Sequence, residues 1–233
     1  MSTQAAHRHF HDDLSSLKVK LLTMSGEAEE AVAASVEALL ARDTEKAARV
    51  IAGDGRIDAL ELEVDELCIT LLATQQPMAR DLRLLTAAMQ IANDLERVGD
   101  HAVNIAQSAE RLSTTRPIAP EPELIEMARQ ARTMLGDALD AFVRGDANAA
   151  RAICRRDDGV DALRNSVFRI LLTHMMEDPH IIGAGMDLFL VSRNLERVAD
   201  LATNIAEDVV FLVEGKMIKH HIDEDPAQTQ PRP

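Results

Sequence analysis

The sequence predicts an all-α protein: two tandem, homologous three-helix bundles, six long helices in total. Three observations carry that expectation. The first is repetition: residues 94–106 read DLERVGDHAVNIA and residues 194–206 read NLERVADLATNIA, with nine of thirteen positions identical, the mark of an internal duplication. Composition is the second. Hydrophobic residues make up 46 % of the 233, yet Trp and Tyr are absent and Phe occurs only five times. Burial therefore falls to Leu, Ile, Val, Met and Ala, which suit helix bundles better than sheets. The third is period, with apolar residues recurring every three or four positions over long stretches.

The first helix runs from about Phe10 to Arg42, with Leu14, Leu17, Leu21, Met24, Ala28, Val32 and Leu39 on one face. Asp43 and Thr44 read as a stop and an N-cap. A second helix follows to about Thr74, burying Ala47, Val50, Ile57, Leu60, Val64, Leu67 and Leu71. QQPMARD, residues 75–81, ends it, because proline disfavours a helical residue before it and opens a new helix readily. The third helix carries Leu85, Met89, Ala92, Leu95, Gly99, Ala102 and Ala106 on one face. STTRPIAPEPE, residues 113–123, holds three prolines and reads as a linker.

The pattern then restarts. One helix runs from about Pro122 to Arg144, another from the RGD turn to about Met176, and a last from about Ile181 to Val213, after a break at EDPH. IDAL at 57–60 returns as VDAL at 160–163, and LERVGD at 95–100 as LERVAD at 195–200, so the offset lies between 100 and 103. The expected organisation is a first repeat over residues 1–112, a linker over 113–121, a second repeat over 122–214 and a flexible tail over 215–233.

A formal charge of −14 argues against nucleic acid as a partner, since phosphate neutralisation needs clustered Lys and Arg. It favours cations or basic protein surfaces. Cys68 and Cys154 form no metal spacing and read as small core residues in a reducing compartment. The N-terminus lacks a basic start and apolar run, and no stretch approaches a membrane span. A cytoplasmic protein is expected. His7, His9, His11, His220 and His221 lie in terminal segments without the rigid scaffold a chelating site needs.

The chemistry lies in the carboxylates. Residues four apart on a helix share a face, so Glu96, Asp100 and Asn104 form one stripe at the edge of the apolar face. Asp54, Asp58, Glu61 and Asp65 form another on the second helix. Neighbouring helices pack about 8–10 Å apart, so the two stripes face each other. Like charges so placed destabilise one another unless a hard cation joins them. The second repeat offers Asp157, Asp161, Glu196 and Asp200, but Arg164 and Phe168 stand where the first has Glu61 and Asp65. The second site is expected to be weaker. The competing reading is solvated helix surface, with Arg97–Asp100 and Arg197–Asp200 as routine i,i+3 pairs. His101 reads as a boundary residue, because its spacing from Glu96 is not the Glu-x-x-His of di-iron bundles. Neither a nucleophile elbow nor a P-loop nor a dinucleotide fingerprint occurs.

These motifs resemble the PhoU family of phosphate-transport accessory proteins, which carry two three-helix repeats and a recurring acidic E(D)xxxD motif. The motif falls at Asp54 to Asp58, Glu96 to Asp100, Asp157 to Asp161 and Glu196 to Asp200, and QQPMARDLR, residues 75–83, is similar to the family's QP-x-x-x-DLR turn. The second repeat departs from it, with EDP for QQP and IIGAGMDLF for RDLRLLTAA. The resemblance implies a negative regulator of the phosphate-starvation response and of high-affinity phosphate uptake. Such a protein is a non-enzymatic adaptor between the phosphate ABC transporter, through its ATPase, and the sensor histidine kinase. It also implies a homodimer that reaches the membrane only through partners. Iron, zinc, manganese or magnesium is the implied metal, at Asp54, Asp58, Glu96, Asp100, Asp157, Asp161, Glu196 and Asp200. A carboxylate-bridged metalloenzyme and a purely structural helical protein are the alternatives. The lack of an activating His or Lys beside the carboxylates favours the adaptor.

Overall fold

Helix α1 spans Thr3–Ala41 and stops where Arg42 enters the left-handed region at φ 55°, with the Asp43 amide bonded back to the Ala38 carbonyl at 2.9 Å. Its buried face is the one the period marks: Leu17, Leu21, Met24, Ala28 and Val32 have no exposed surface. Each large side chain so buried contributes about 1.5–3 kcal/mol. The computed structural model describes residues 3–115 and 120–218, with side chains from Phe10 onward except that of His11. The tail histidines, the N-terminal His7, His9 and His11 side chains and the centre of the linker lie outside that description.

The middle helix of the first repeat is a bent rod. Its arms are α2 (Thr44–Gly53) and α3 (Gly55–Gln75), hinged at Asp54, whose backbone stays helical at φ −54°, ψ −46°. Two glycines flank the hinge and weaken the helix there by about 1 kcal/mol each relative to Ala, which makes the bend cheap. Asp43, one residue earlier than the sequence suggests, is the N-cap of α2 and accepts the Lys46 amide at 2.9 Å. The rod ends at Gln76, left-handed at φ 47°. Helix α4 (Arg80–Ser113) follows and buries Leu85, Ala88, Ile91, Leu95, Val98, Ala102 and Ile105 completely.

The second repeat copies this plan. Helix α5 spans Pro122–Arg144 and ends at a left-handed Gly145, where the first repeat uses Arg42. Asp146 caps α6 (Ala147–Cys154) by accepting the amides of Asn148 and Ala149 at 3.1 and 3.0 Å. Each such cap stabilises its helix by about 1 kcal/mol. The rod bends at Arg155 and Arg156, through three-residue turns such as the Arg156 amide to the Ile153 carbonyl at 2.8 Å. It continues as α7 (Asp157–Glu177), and a single 3-10 turn at Pro179–Ile181 leads into α8 (Ile182–Glu214). No strand occurs among the described residues. The architecture is thus all-α, six helical rods with the second rod of each repeat bent.

Helices α4 and α8 form the spine. Each packs against the other helices of its own repeat and against its counterpart. They run antiparallel: Arg83 near the start of α4 bonds the Leu212 carbonyl near the end of α8 at 3.4 Å, and Arg111 near the end of α4 pairs with Asp187 near the start of α8 at 2.7 Å. Between them His101 meets the Asn194 side chain at 2.9 Å. Both cysteines are buried and free, and burial pushes their thiols up to about 12 for Cys68 and about 11 for Cys154. They are inert core residues.

Candidate metal centre

The first acidic cluster sits where the bent rod touches the spine. Gly99 of α4 allows the approach: a Cβ there would stand 3.0 Å from Ile57 Cδ1 and 3.2 Å from Asp54 Oδ1. The bend therefore rests directly on the helix that carries Glu96 and Asp100. Asp54, Glu61, Asp65 and Glu96 are half-buried, and Asp58 and Asp100 exposed. Burial raises the Glu96 carboxyl above its usual range, and Asp100, Glu61, Asp58 and Asp54 each raise it further. Asp54 is raised by burial, then by Asp58 and Asp100. Two helices thus hold their acids close enough to repel one another, as the facing stripes require.

Among the described residues nothing basic pairs with these acids in the first repeat. Arg97, the nearest candidate in sequence, bonds Asp94 at 3.2 Å instead of Asp100. The routine Arg97–Asp100 pair is absent, because Asp94 lies one turn the other way on the same helix and is buried, where a counter-ion gains more. Among the described residues Asp54, Asp58, Glu96 and Asp100 make no ion pair.

The second cluster is partly neutralised. Asp157 is pushed up to about 6, first by burial, then by Asp200, Asp161, Asp158 and Glu196. Asp200 is raised by burial against the pull of Arg197, which bonds it at 2.9 Å. Arg164 lies 3.6 Å from Glu196, an ion pair too long to be a hydrogen bond, and its Nε is left unsatisfied. The residue that breaks the acidic pattern in sequence is therefore the one that answers Glu196 in space.

His101 separates the two clusters. The Asn194 amide nitrogen donates to the Leu190 carbonyl at 2.8 Å, which turns its oxygen toward His101 and leaves the proton on Nδ1. Burial holds the imidazole below its ordinary value. It is a link between repeats; its counterpart is Leu201, buried in the spine. Sequence alone does not single out Asn194, whose counterpart Asp94 carries a different partner.

The donor set suits a hard cation: carboxylate oxygens from two helices, with neither thiolate nor free imidazole among them. Among the described residues no group of three His, Cys, Asp or Glu side chains is arranged to hold an ion as it stands. Binding would therefore need carboxylate rotations, which the exposed Asp58 and Asp100 allow.

The PhoU domain model matches residues 21–109 and again 124–209. The chain belongs to the PhoU family. A phosphate-specific transport system accessory protein PhoU homolog of Zymomonas mobilis is 39 % identical over 209 residues, 90 % of this chain and 88 % of that one. The crystal structure of PhoU from Pseudomonas aeruginosa superposes with a TM-score of 0.85 at 37 % identity, covering 89 % of this chain and all of that one. The phosphate transport system regulatory protein PhoU from Streptococcus pneumoniae gives a TM-score of 0.83 at 29 % identity, covering 89 % and 98 %.

Within this PhoU-family chain all eight acidic residues named from the motif fall into two clusters of four, one per repeat. Glu61 joins the first, and Asp158 adjoins the second. The QQPMARDLR turn does something the motif does not reveal: its Arg83 reaches across the spine to the C-terminal turn of α8, near Gly215. A cation there answers the partial negative charge of the helix end. Among the described residues no helix is long and apolar enough to cross a membrane.

Proposed function

We propose that this chain is a cytoplasmic adaptor that restrains the phosphate-starvation response and high-affinity phosphate uptake. It acts between the phosphate ABC transporter and a sensor histidine kinase, as a homodimer. Membership of a family whose relatives are phosphate-transport accessory proteins supports the physiological side. The observation that carries the molecular side is the unpaired, mutually repelling carboxylate cluster at the bend.

Iron, zinc, manganese or magnesium is held by Asp54, Asp58, Glu96 and Asp100, and less firmly by Asp157, Asp161, Glu196 and Asp200. A bound cation would supply, between α3 and α4, positive charge that no described residue brings to these acids. The residues' own contribution is to couple rod to spine: Asp54 sits on the hinge, Glu96 and Asp100 on the rigid helix, so neutralising them fixes the angle between the two. The non-enzymatic reading rests on the same family membership, and His101 serves to join the two repeats through its Nδ1 and Asn194.

Deleting the gene in the organism that encodes it should switch on phosphate-scavenging genes in phosphate-rich medium. Restoring the wild type should silence them, and restoring Glu96→Ala/Asp100→Ala should do so less fully. Unchanged expression on deletion removes the regulatory reading. Equal metal content in purified wild type and double variant, measured by element-specific mass spectrometry, removes the metal site.

A further inference from the structure

The hairpin of α7 and α8 carries an apolar face that none of the described residues covers. Phe168, Leu172 and Met176 succeed one another every four residues on α7, and Ile182, Met186 and Leu190 do so on α8. Each is between 42 % and 76 % exposed. The rows are joined rather than merely adjacent: the Phe168 and Phe189 rings pack at 5.3 Å, and Met175 lies against Gly185, 2.9 Å from where a Cβ would stand. Eight residues of helix make a strip about 12 Å long on each side. Single exposed hydrophobics need no explanation, but a contiguous strip of this kind marks an interface.

The fold itself does not require the strip, because the first repeat does without it. At the corresponding positions that repeat has Asp65, Ile69 and Ala73 on α3 and Leu82, Thr86 and Gln90 on α4. The charges differ as well. Arg169 and Arg193 border the strip where the first repeat has Glu66 and Asn93. Both arginines are exposed, and among the described residues neither meets a carboxylate; Arg169 reaches only the Ser166 hydroxyl at 3.5 Å. In a chain of net charge −14, two unanswered arginines beside an apolar strip ask for carboxylates from elsewhere.

A second copy of this chain does not provide them at the strip. No acid lies between Phe168 and Met176. The single acid between Ile182 and Leu195, Asp187, is already taken by Arg111 at 2.7 Å. Two parallel ridges on antiparallel helices accept a third helix by ridge-into-groove packing, anchored at three- and four-residue spacing.

We propose that the outer face of α7 and α8 docks an amphipathic helix of a partner protein, its apolar stripe on Phe168, Leu172, Met176 and Met186 and its flanking Asp or Glu residues on Arg169 and Arg193. The first repeat then specialises in its acidic cluster and the second in holding a partner. This deepens the adaptor reading and rests on it for the partner's role.

The test places a photoreactive residue at Leu172 or Met186 of the full-length chain in cells, with Ile69 or Thr86 as first-repeat controls, and sequences the cross-linked peptides. Expected is one acidic amphipathic segment of another protein, cross-linked from both second-repeat positions and not from the controls. Its yield should fall at least tenfold in Arg169→Glu/Arg193→Glu, with the melting temperature of the purified variant unchanged. Cross-links to a second copy, to phospholipid, or no cross-link above the controls overturn the proposal. A cross-linked partner unconnected with phosphate uptake or its control leaves the docking face standing and removes the adaptor reading. Unchanged phosphate-gene expression on deletion does the same.

Discussion

Replacing Asp157 by asparagine isolates the electrostatic cost of the second cluster without changing its shape. The carboxyl is pushed from an ordinary 3.8 up to about 6, by burial first and by four neighbouring acids after it. Above pH 6 the group is ionised in both the folded and the unfolded chain, and its burial and repulsion count fully against the fold. As the pH falls through 6 the folded chain takes up the proton first and the penalty fades; below about 4 both states are neutral and it is gone. For a fully buried charge such a displacement would be worth about 3 kcal/mol. Asp157 is only half-buried, and solvent screening reduces this to about 1–2 kcal/mol. The Asp157→Asn variant should therefore melt about 2–6 °C above the wild type at pH 7 in chelator, and no measurable amount above it at pH 4. Scanning calorimetry at both values reads it directly. A variant that melts at or below the wild type at pH 7, metal-free, would refute the idea that like charges strain this cluster.

Truncating Arg164 to Ala leaves Glu196, only 14 % exposed at its side chain, without its counter-ion. A loss of about 1–2 kcal/mol is expected by urea unfolding in chelator, with part of it recovered on adding manganese. Gly99→Val drives two methyl groups into Ile57 and Asp54, whose atoms stand 3.0 and 3.2 Å from the added Cβ, and should cost about 1–3 kcal/mol of stability. For the spine, a double-mutant cycle on His101→Leu and Asn194→Leu should give a coupling of about 1 kcal/mol at pH 8. Because burial lowers the His101 pKa, its contribution is present above the ordinary histidine value and lost as the pH falls below it. The His101→Leu variant should accordingly show a shallower stability loss between pH 7 and 5 by calorimetry.

The helices were legible because burial on one face writes itself into the spacing of Leu, Met and Ala, and Leu17, Leu21, Met24 and Leu85 are indeed fully buried. The caps were legible only to within a residue: the sequence suggests Thr44 and a turn at 144–146, and the structure puts the caps at Asp43 and Asp146. Asp43 and Asp146 hold amides two or three residues away, so no long-range fact is needed to place them. The bends are not written in the apolar period, although Gly53 and Gly55 stand on either side of Asp54. Two glycines make a bend inexpensive without requiring one; the contact with Gly99 decides it.

The acids divide along the same line. That Glu96 and Asp100 share a face follows from helical geometry alone, as does their repetition at Glu196 and Asp200. Which arginine answers which carboxylate does not follow, because an i,i+3 spacing permits Arg97 to turn either way along α4, and the buried Asp94 wins over Asp100. By itself the sequence determined two repeats, six rods, and an excess of acid on facing stripes, since these depend on periods of three and four residues that the chain carries along its own length. Only the tertiary structure decided that, among the described residues, the first cluster goes unanswered while Arg164 and Arg197 temper the second. It also brought Phe168 and Met186 onto one surface, because charge pairing and surface continuity depend on residues that sequence separates and packing brings together.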